Sequence, residues 1–497
     1  MSNDHKRAVA SAAINIVTVV SIGLSSTARA ACTDTNTCFG DGALQSNTTG
    51  IGNSAFGHEA LTSNTEGSAN SATGAAALRF NTSGYGNTAS GANALFRNTT
   101  GFDNSAFGNQ ALDANTSGHG NTAIGVEALG SHSSGQQNVA VGGHALFFNI
   151  TGVGNTAVGA QAAINALGHD NTGLGSRALA GVKSGQWNTA TGAEAMLRFN
   201  GNENTANGYV ALSGLGSGNQ NTAIGAYALH GFPFIPSEDE HRNSGSFNTA
   251  TGAHALERVD TGSSNTATGV NALKANTDGF YNTANGTGAL RNSVTGYRNV
   301  ALGYQAGHEI TTGSDNIVIG AANRGSAADN GAIRIGVSAN QKKAFIAGIR
   351  GVTTGLANAT TVFIDGNGQL GTIKSSRAFK DDIQSMGNVS ERLLALRPVT
   401  FRYKQASDDG SKPVQYGLIA EEVAEVFPEL VVYDDENKPE TVSYHLLATL
   451  LVNEFKKDHQ RLLSQAEEIA QLKSQVAQMV NVVATMQATQ MTARDSD

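Results

Sequence analysis

Apolar positions recur along most of this chain in one short phrase. The unit is Asn-Thr-Ala-x-Gly-x-x-Ala-Leu-x-x-Asn-Thr-x-Gly-x-x, seen whole in residues 121–137 and 265–281. Its leading Asn falls at 53, 70, 87, 104, 121, 138, 155, 171, 188, 204, 221, 248, 265 and 282, with weaker copies from Asn36, Asn299 and Asn316. The step is 17 residues, twice 16 and once 27, the last through a ten-residue insertion near Gly231-Phe232-Pro233-Phe234-Ile235-Pro236. The repeat opposes helix, because Gly and Asn are poor helix formers and each apolar cluster is only one or two residues long.

Each half of the unit reads as a short extended piece, Thr-Ala-x or Ala-Leu, bounded by Gly or Asn at turns that need positive φ. One unit cannot bury a core. Stacked units can, since every Ala, Leu and Ile slot then lies over its neighbour as a core row at the strand spacing of about 4.8 Å. Asn and Thr stacked in register form side-chain ladders. The expected fold class is mainly β, a narrow parallel β-solenoid or β-roll of seventeen coils, roughly 80 Å long at that spacing. It is followed by a β-rich neck and a small α+β domain ending in a coiled coil. The repeat is similar in residue type to the heads of trimeric autotransporter adhesins, which implies a roll and a trimer.

After residue 332 the pattern changes to stronger β-runs. These are Ala332-Ile333-Arg334-Ile335-Gly336, Ala344-Phe345-Ile346-Ala347-Gly348-Ile349 and Thr361-Val362-Phe363-Ile364-Asp365. The segment Asp365-Gly366-Asn367-Gly368 has hairpin-turn composition. In the tail, Phe455, Leu462, Ala466, Ile469, Val476, Met479, Val483 and Met486 recur at heptad-like spacing, with His459 in the same seam. That pattern predicts a coiled coil. The division is 1–30 leader, 31–35 short N-terminal segment, 36–332 repeat, 333–374 neck, 375–445 mixed domain and 446–497 C-terminal helix.

Between neck and tail lie SSRAFKDDI, LLALRPVTFRYK, YGLIAEEVAEVFPELVVYD and VSYHLLATLLVNEFKK. In this order the four blocks resemble the C-terminal intramolecular chaperone autoprotease of endosialidase-type phage tail spikes and fibres. The resemblance implies a homotrimer and a chaperone that cuts itself free. Carried over residue by residue, Ser375 is the nucleophile, Lys380 its activating base, and Lys374–Ser375 the scissile bond. A serine hydroxyl needs a base, and a lysine serves as one only when burial or neighbours favour its neutral form. The family pattern has Arg three residues after the nucleophile, where this chain has Ala378, with Arg377 one place earlier. One cut per chain makes this a single-turnover peptidase without external substrate. The Glu421-Glu422 pair falls in a helix-like run and is read as structural.

Composition narrows the rest. The chain has 497 residues, 14% of them charged, and a net charge of -8, which opposes a nucleic-acid partner. Lys6 and Arg7, an apolar run over residues 8–24 and Ala28-Arg29-Ala30 predict a cleaved export leader. No membrane span is expected in the mature chain, and the expected place is extracellular or cell-surface. Cys32 and Cys38 then meet an oxidising compartment as a possible disulfide. No metal or cofactor is expected. His58, His119, His144, His169 and His254 fall in variable slots without ligand spacing, and the run 214–218 reads as turn residues instead of a phosphate loop. Tyr85, Phe102, Trp187, Tyr281 and Tyr297 read as turn packing before a glycan stripe. The expected function is an exported trimeric fibre or adhesin-like protein whose possible partner is a host-cell surface glycan or receptor. The alternatives are a polysaccharide-degrading spike, for which the repeats lack a carboxylate pair, and a structural fibre with an uncut cap.

Overall fold

The computed structural model describes residue 32 and residues 35–214, 216–231, 244–337, 340–347, 349, 355–356, 358–366, 368–434 and 436–494. The expected leader at 1–30 and most of the insertion after Gly231 lie outside the described residues. The chain forms two compact units, Met1–Ala347 and Gly348–Asp497.

The first unit is a parallel β-solenoid. Eighteen three-residue strands, β1 (Thr37–Phe39) to β18 (Ile333–Ile335), pair one coil to the next. Strand β6 (Thr122–Ile124) sets Thr122 opposite Val139, Ala123 opposite Ala140 and Ile124 opposite Val141 of β7 (Val139–Val141). The middle Ala that most triplets carry points inward, Ala123 and Ala140 being fully buried, whereas the Ile slot expected in the core faces outward, Ile124 being 43% exposed, because it is the third residue of its strand. Alanine is the side chain that fits, because the opposite wall is only one coil-width away and is lined by Leu. The fold is mainly β, as the repeat predicts.

Two further details differ from that expectation. First, the sheet has one strand more than the seventeen copies. Ile333–Ile335, read as the first run of the neck, pairs in register with β17 (Ile317–Ile319). Ala332, in the Asn slot, still donates its N–H to Asn316 Oδ1 at 2.9 Å. Second, the Ala-Leu half is not extended. Glu127 and Leu129 have φ of +56° and +53°, on either side of Ala128, and the same reversal recurs from coil to coil. A left-handed Leu costs about 1–2 kcal/mol. It is offset because the inverted residue aims its N–H along the axis: Leu129 donates to Ala145 O at 2.9 Å in the next coil. Its side chain is wholly buried, which contributes about 1.5–3 kcal/mol.

Two asparagine columns close the corners. Asn121 donates its backbone N–H and its Nδ2 to Asn104 Oδ1, each at 3.1 Å, and its Nδ2 also reaches Gly135 O at 3.0 Å. A second column joins Asn64, Asn81, Asn98 and Asn115 through Nδ2 to Oδ1 bonds of 2.7 Å. These amides lie in the interior, where each satisfied bond avoids a desolvation loss of about 1–3 kcal/mol.

The second column is interrupted at His132, a buried residue. Its Nε2 lies 2.9 Å from Gly135 O and its Nδ1 faces Asn149 O. Among the described residues Asn115 Oδ1 has no hydrogen-bond partner, because the following coil lacks the amide that would donate to it. Burial holds the imidazole below its usual value and outweighs the two carbonyl oxygens, which act the other way. The folded state therefore resists a proton that the unfolded chain accepts, so stability falls as pH drops below about 6.5. His132→Asn restores the donor. It is expected to raise stability by about 1 kcal/mol at neutral pH and to flatten the loss between pH 7 and 5. Chemical denaturation at the two pH values checks both; an unchanged midpoint at neutral pH rejects the column argument.

The second unit holds a hairpin of β19 (Phe363–Ile364) and β20 (Leu370–Gly371), then two further antiparallel pairs. These are β21 (Val399–Phe401) with β22 (Gln415–Gly417), and β23 (Val431–Tyr433) with β24 (Pro439–Val442). Helix α1 (Ala420–Val426) packs Val423 against Phe427, Leu430, Val431, Val442 and Leu450. Leu450 belongs to α2 (Tyr444–Arg494), a helix of 51 residues. Beyond its first turns α2 leaves Phe455, Leu462, Ile469, Val476 and Met486 more than half exposed. Among the described residues no helix is long and apolar enough to cross a membrane.

Candidate functional site

The site is built on one tight turn. Ser376, at the N-cap of a 3-10 turn over Arg377–Phe379, accepts the Ala378 N–H on its Oγ at 3.4 Å. Phe379 N–H donates to Ser376 O at 3.0 Å, and Lys380 N–H to Arg377 O at 3.2 Å. A short hydroxyl side chain at the cap supplies the acceptor that such a turn otherwise lacks. The turn folds the chain back so that residues five apart meet. Lys380 Nζ donates to Ser375 Oγ at 3.0 Å, and the Lys374 ammonium stands over the Phe379 ring, 4.5 Å from its centre. Both residues of the first pair are exposed.

With the amine neutral the donor and acceptor of the first pair exchange roles, and the hydroxyl donates to the Nζ lone pair. A neutral amine so placed is within reach of the hydroxyl proton. The second pair touches the residue on the other side of the Lys374–Ser375 bond. The family resemblance pointed to Ser375 with Lys380; it gave no sign of the Lys374–Phe379 contact, since a lysine and an aromatic five residues apart carry no pattern of their own.

Elsewhere in the same unit, polar contacts tie the elements to one another. Ser390, buried in the 3-10 segment Val389–Ala395, donates to Glu454 Oε2 at 2.8 Å and accepts from Asn453 Nδ2 at 2.7 Å. Both partners lie on α2, so this segment is tied to the long helix. Lys457 Nζ adds an ion pair to Glu391 at 3.1 Å. Arg392 lies over the Phe427 ring, bonds Val426 O at 2.9 Å and pairs with Glu429. Glu422 pairs with Arg397, a surface role in keeping with its reading as structural.

Residues 375–432 match the family model for the chaperone of endosialidase. The matched chaperone segment begins at Ser375 and includes Lys380. No curated protein and no solved structure matches the chain. A chaperone-of-endosialidase segment behind a β-solenoid points to a tail-fibre- or spike-like chain carrying an intramolecular chaperone.

The other residues singled out by the sequence fall into place on the solenoid. Cys32 and Cys38 form a disulfide, with Cα atoms 5.7 Å apart. His144 pairs with Glu127 at 3.1 Å and His254 with Glu257 at 3.1 Å. Tyr85, Phe102 and His119 stack nearly parallel at 4.9 and 4.4 Å. Stacked rings cover one another's faces and leave edges outward, which suits turn packing better than a sugar platform. Gly218, in the run read as turns, accepts the Asn204 amide at 3.0 Å like the other corner glycines. His132 was missed. Its slot is three residues before a corner glycine, where other coils place Asn, and aligning the coils on that glycine would have flagged it.

Proposed function

We propose that the chain is an exported, homotrimeric fibre protein whose C-terminal segment guides assembly and then releases itself by cutting Lys374–Ser375. The observation that carries this reading is the 3.0 Å contact of Lys380 Nζ with Ser375 Oγ at the first residue of the chaperone match. The exposed apolar seam of α2 supports a parallel coiled coil between copies. A host-cell surface glycan or receptor is the partner in this reading.

The position of the serine sets the chemistry. Ser375 Oγ belongs to the residue directly after the scissile carbonyl, so its attack on Lys374 C closes a five-membered ring. The Oγ proton passes to neutral Lys380 Nζ. The C–N bond then breaks as the C–O bond stays, and the proton is delivered to the departing Ser375 nitrogen. The result is an ester between the Lys374 acyl group and Ser375 Oγ. Water attacks that ester, leaving a Lys374 carboxylate, a free Ser375 amine and the hydroxyl restored. Solvent exposure of both groups in one chain means that a protected, neutral amine depends on cover from the assembled state. The cut would then follow assembly.

The test is the intact mass of residues 31–497 after folding. A fragment of residues 375–497 is expected, and neutral hydroxylamine is expected to convert part of the new Lys374 terminus to a hydroxamate by intercepting the ester. An assembled protein that keeps one full-length mass rejects self-cleavage and leaves an uncut cap. A fragment without any hydroxamate rejects the ester route.

A further inference from the structure

The solenoid presents one face without charge. In each strand the first and third side chains point outward, and in all eighteen strands neither is Asp, Glu, Lys, Arg or His. The chain is 14% charged overall, and the solenoid places its charges elsewhere. They sit on the turns, where they pair between coils: Arg79 with Glu59, Arg177 with Glu194, Lys274 with Glu257 and Arg298 with Asp315. One outward row is Thr, Ser or Val over most of the length. The other carries a run of five apolar residues in successive coils, Phe107, Ile124, Val141, Val158 and Leu174. Phe107, Ile124 and Val158 are each about 40% exposed, at 42%, 43% and 38%.

We infer that this strip is the face by which copies of the chain pack together, parallel and in register, around an axis along the solenoid; the inference rests on the trimeric reading above. Length argues for the occupant. The strip keeps its character in every coil, so whatever covers it must be equally long and repeat at the same spacing, as a second solenoid does. Area agrees. Eighteen strands at about 4.8 Å, three residues wide, give a face of roughly 800 Å², close to the share of one partner in a stable interface. Chemistry agrees too. Interface cores are depleted of charge, and hydroxyl rows can pair across the contact where a buried carboxylate or ammonium would need an exact counter-ion. In a parallel arrangement about an axis each residue lies near its own copies, so one label reports on itself.

The experiment uses residues 31–497 with a nitroxide on Val158→Cys, and on Gln137→Cys as a control outside the strip. Ile224→Cys and Gln220→Cys form a second pair should the first fail to fold, as judged by circular dichroism. Light scattering gives the copy number. A trimer in which the strip label is immobile and its spectrum several-fold weaker than in a sample diluted with unlabelled chain, with the control label mobile, supports the inference. A trimer with a mobile, unbroadened strip label overturns it and leaves the trimer standing. An immobile strip label without broadening means that something other than another copy covers the face, and also overturns it. A monomer removes the trimeric reading itself.

Discussion

Ser375→Ala yields only full-length chain. The substitution deletes the one atom that closes a ring on the Lys374 carbonyl, and it touches little else, since Ser375 is exposed and its partner is Lys380. Assembly should therefore proceed and cleavage stop, with no residual fragment by intact mass. Lys380→Gln tests the base separately. It keeps the length and polarity of the turn but cannot take a proton, and a general base contributes about 10²–10⁴-fold, so cleavage should slow by that factor. Ser375→Thr keeps the hydroxyl and should cut measurably. A fragment beginning at 375 in the alanine variant would sink the assignment, and Ser376 would be the next residue to change.

Gly108→Ala should be among the damaging single methyl groups in the solenoid. Gly108 leaves β5 (Ser105–Phe107) at φ +140°, and an added Cβ would stand 2.4 Å from Gly125 O in the next coil. Backbone, unlike a side chain, cannot step aside without breaking the pairing of two coils. The expected cost is roughly 2–6 kcal/mol, about 1–3 for the strained backbone and about 1–3 for the overpacking. Gly120→Ala is the contrast. Its φ is +66° and the nearest atom to a new Cβ is Gln137 Cγ at 3.6 Å. The same corner holds Ala69, Asp103 and Gln137 in other coils, all at positive φ. About 1 kcal/mol is expected there. Denaturation midpoints of the two variants decide the matter; equal losses would mean that inter-coil spacing is softer than this packing implies.

The two glycines also show what could be read before any coordinates. Period, strand position, inward Ala and the Asn column followed from composition and spacing, because a stacked fold repeats every constraint once per coil. The Ala-Leu arm did not follow. Sequence rules place leucine in helix or strand, and only the inter-coil bond at Leu129 shows why a left-handed conformation is worth its cost here. At the C-terminal end, the resemblance of SSRAFKDDI to the chaperone motif singled out Ser375 and Lys380, and the two side chains meet. Nothing in the letters placed Lys374 over Phe379, since that contact depends on the 3-10 turn between them. Ile333–Ile335 was set outside the roll because the pattern there changes to stronger β-runs, yet the backbone N–H of Ala332 still meets the preceding coil's Asn316 Oδ1.

The asparagine column has a direction. Asn121 donates its amide to Asn104 and holds its own oxygen out to Asn138, so every interior coil offers the next what it took from the last. Inserting or deleting one 17-residue unit leaves the same two ends and creates no new kind of joint. Each unit adds about 4.8 Å and one more identical step. The solenoid is thus a ruler graduated in coils, and the reach of whatever it holds at its tip can be set by counting.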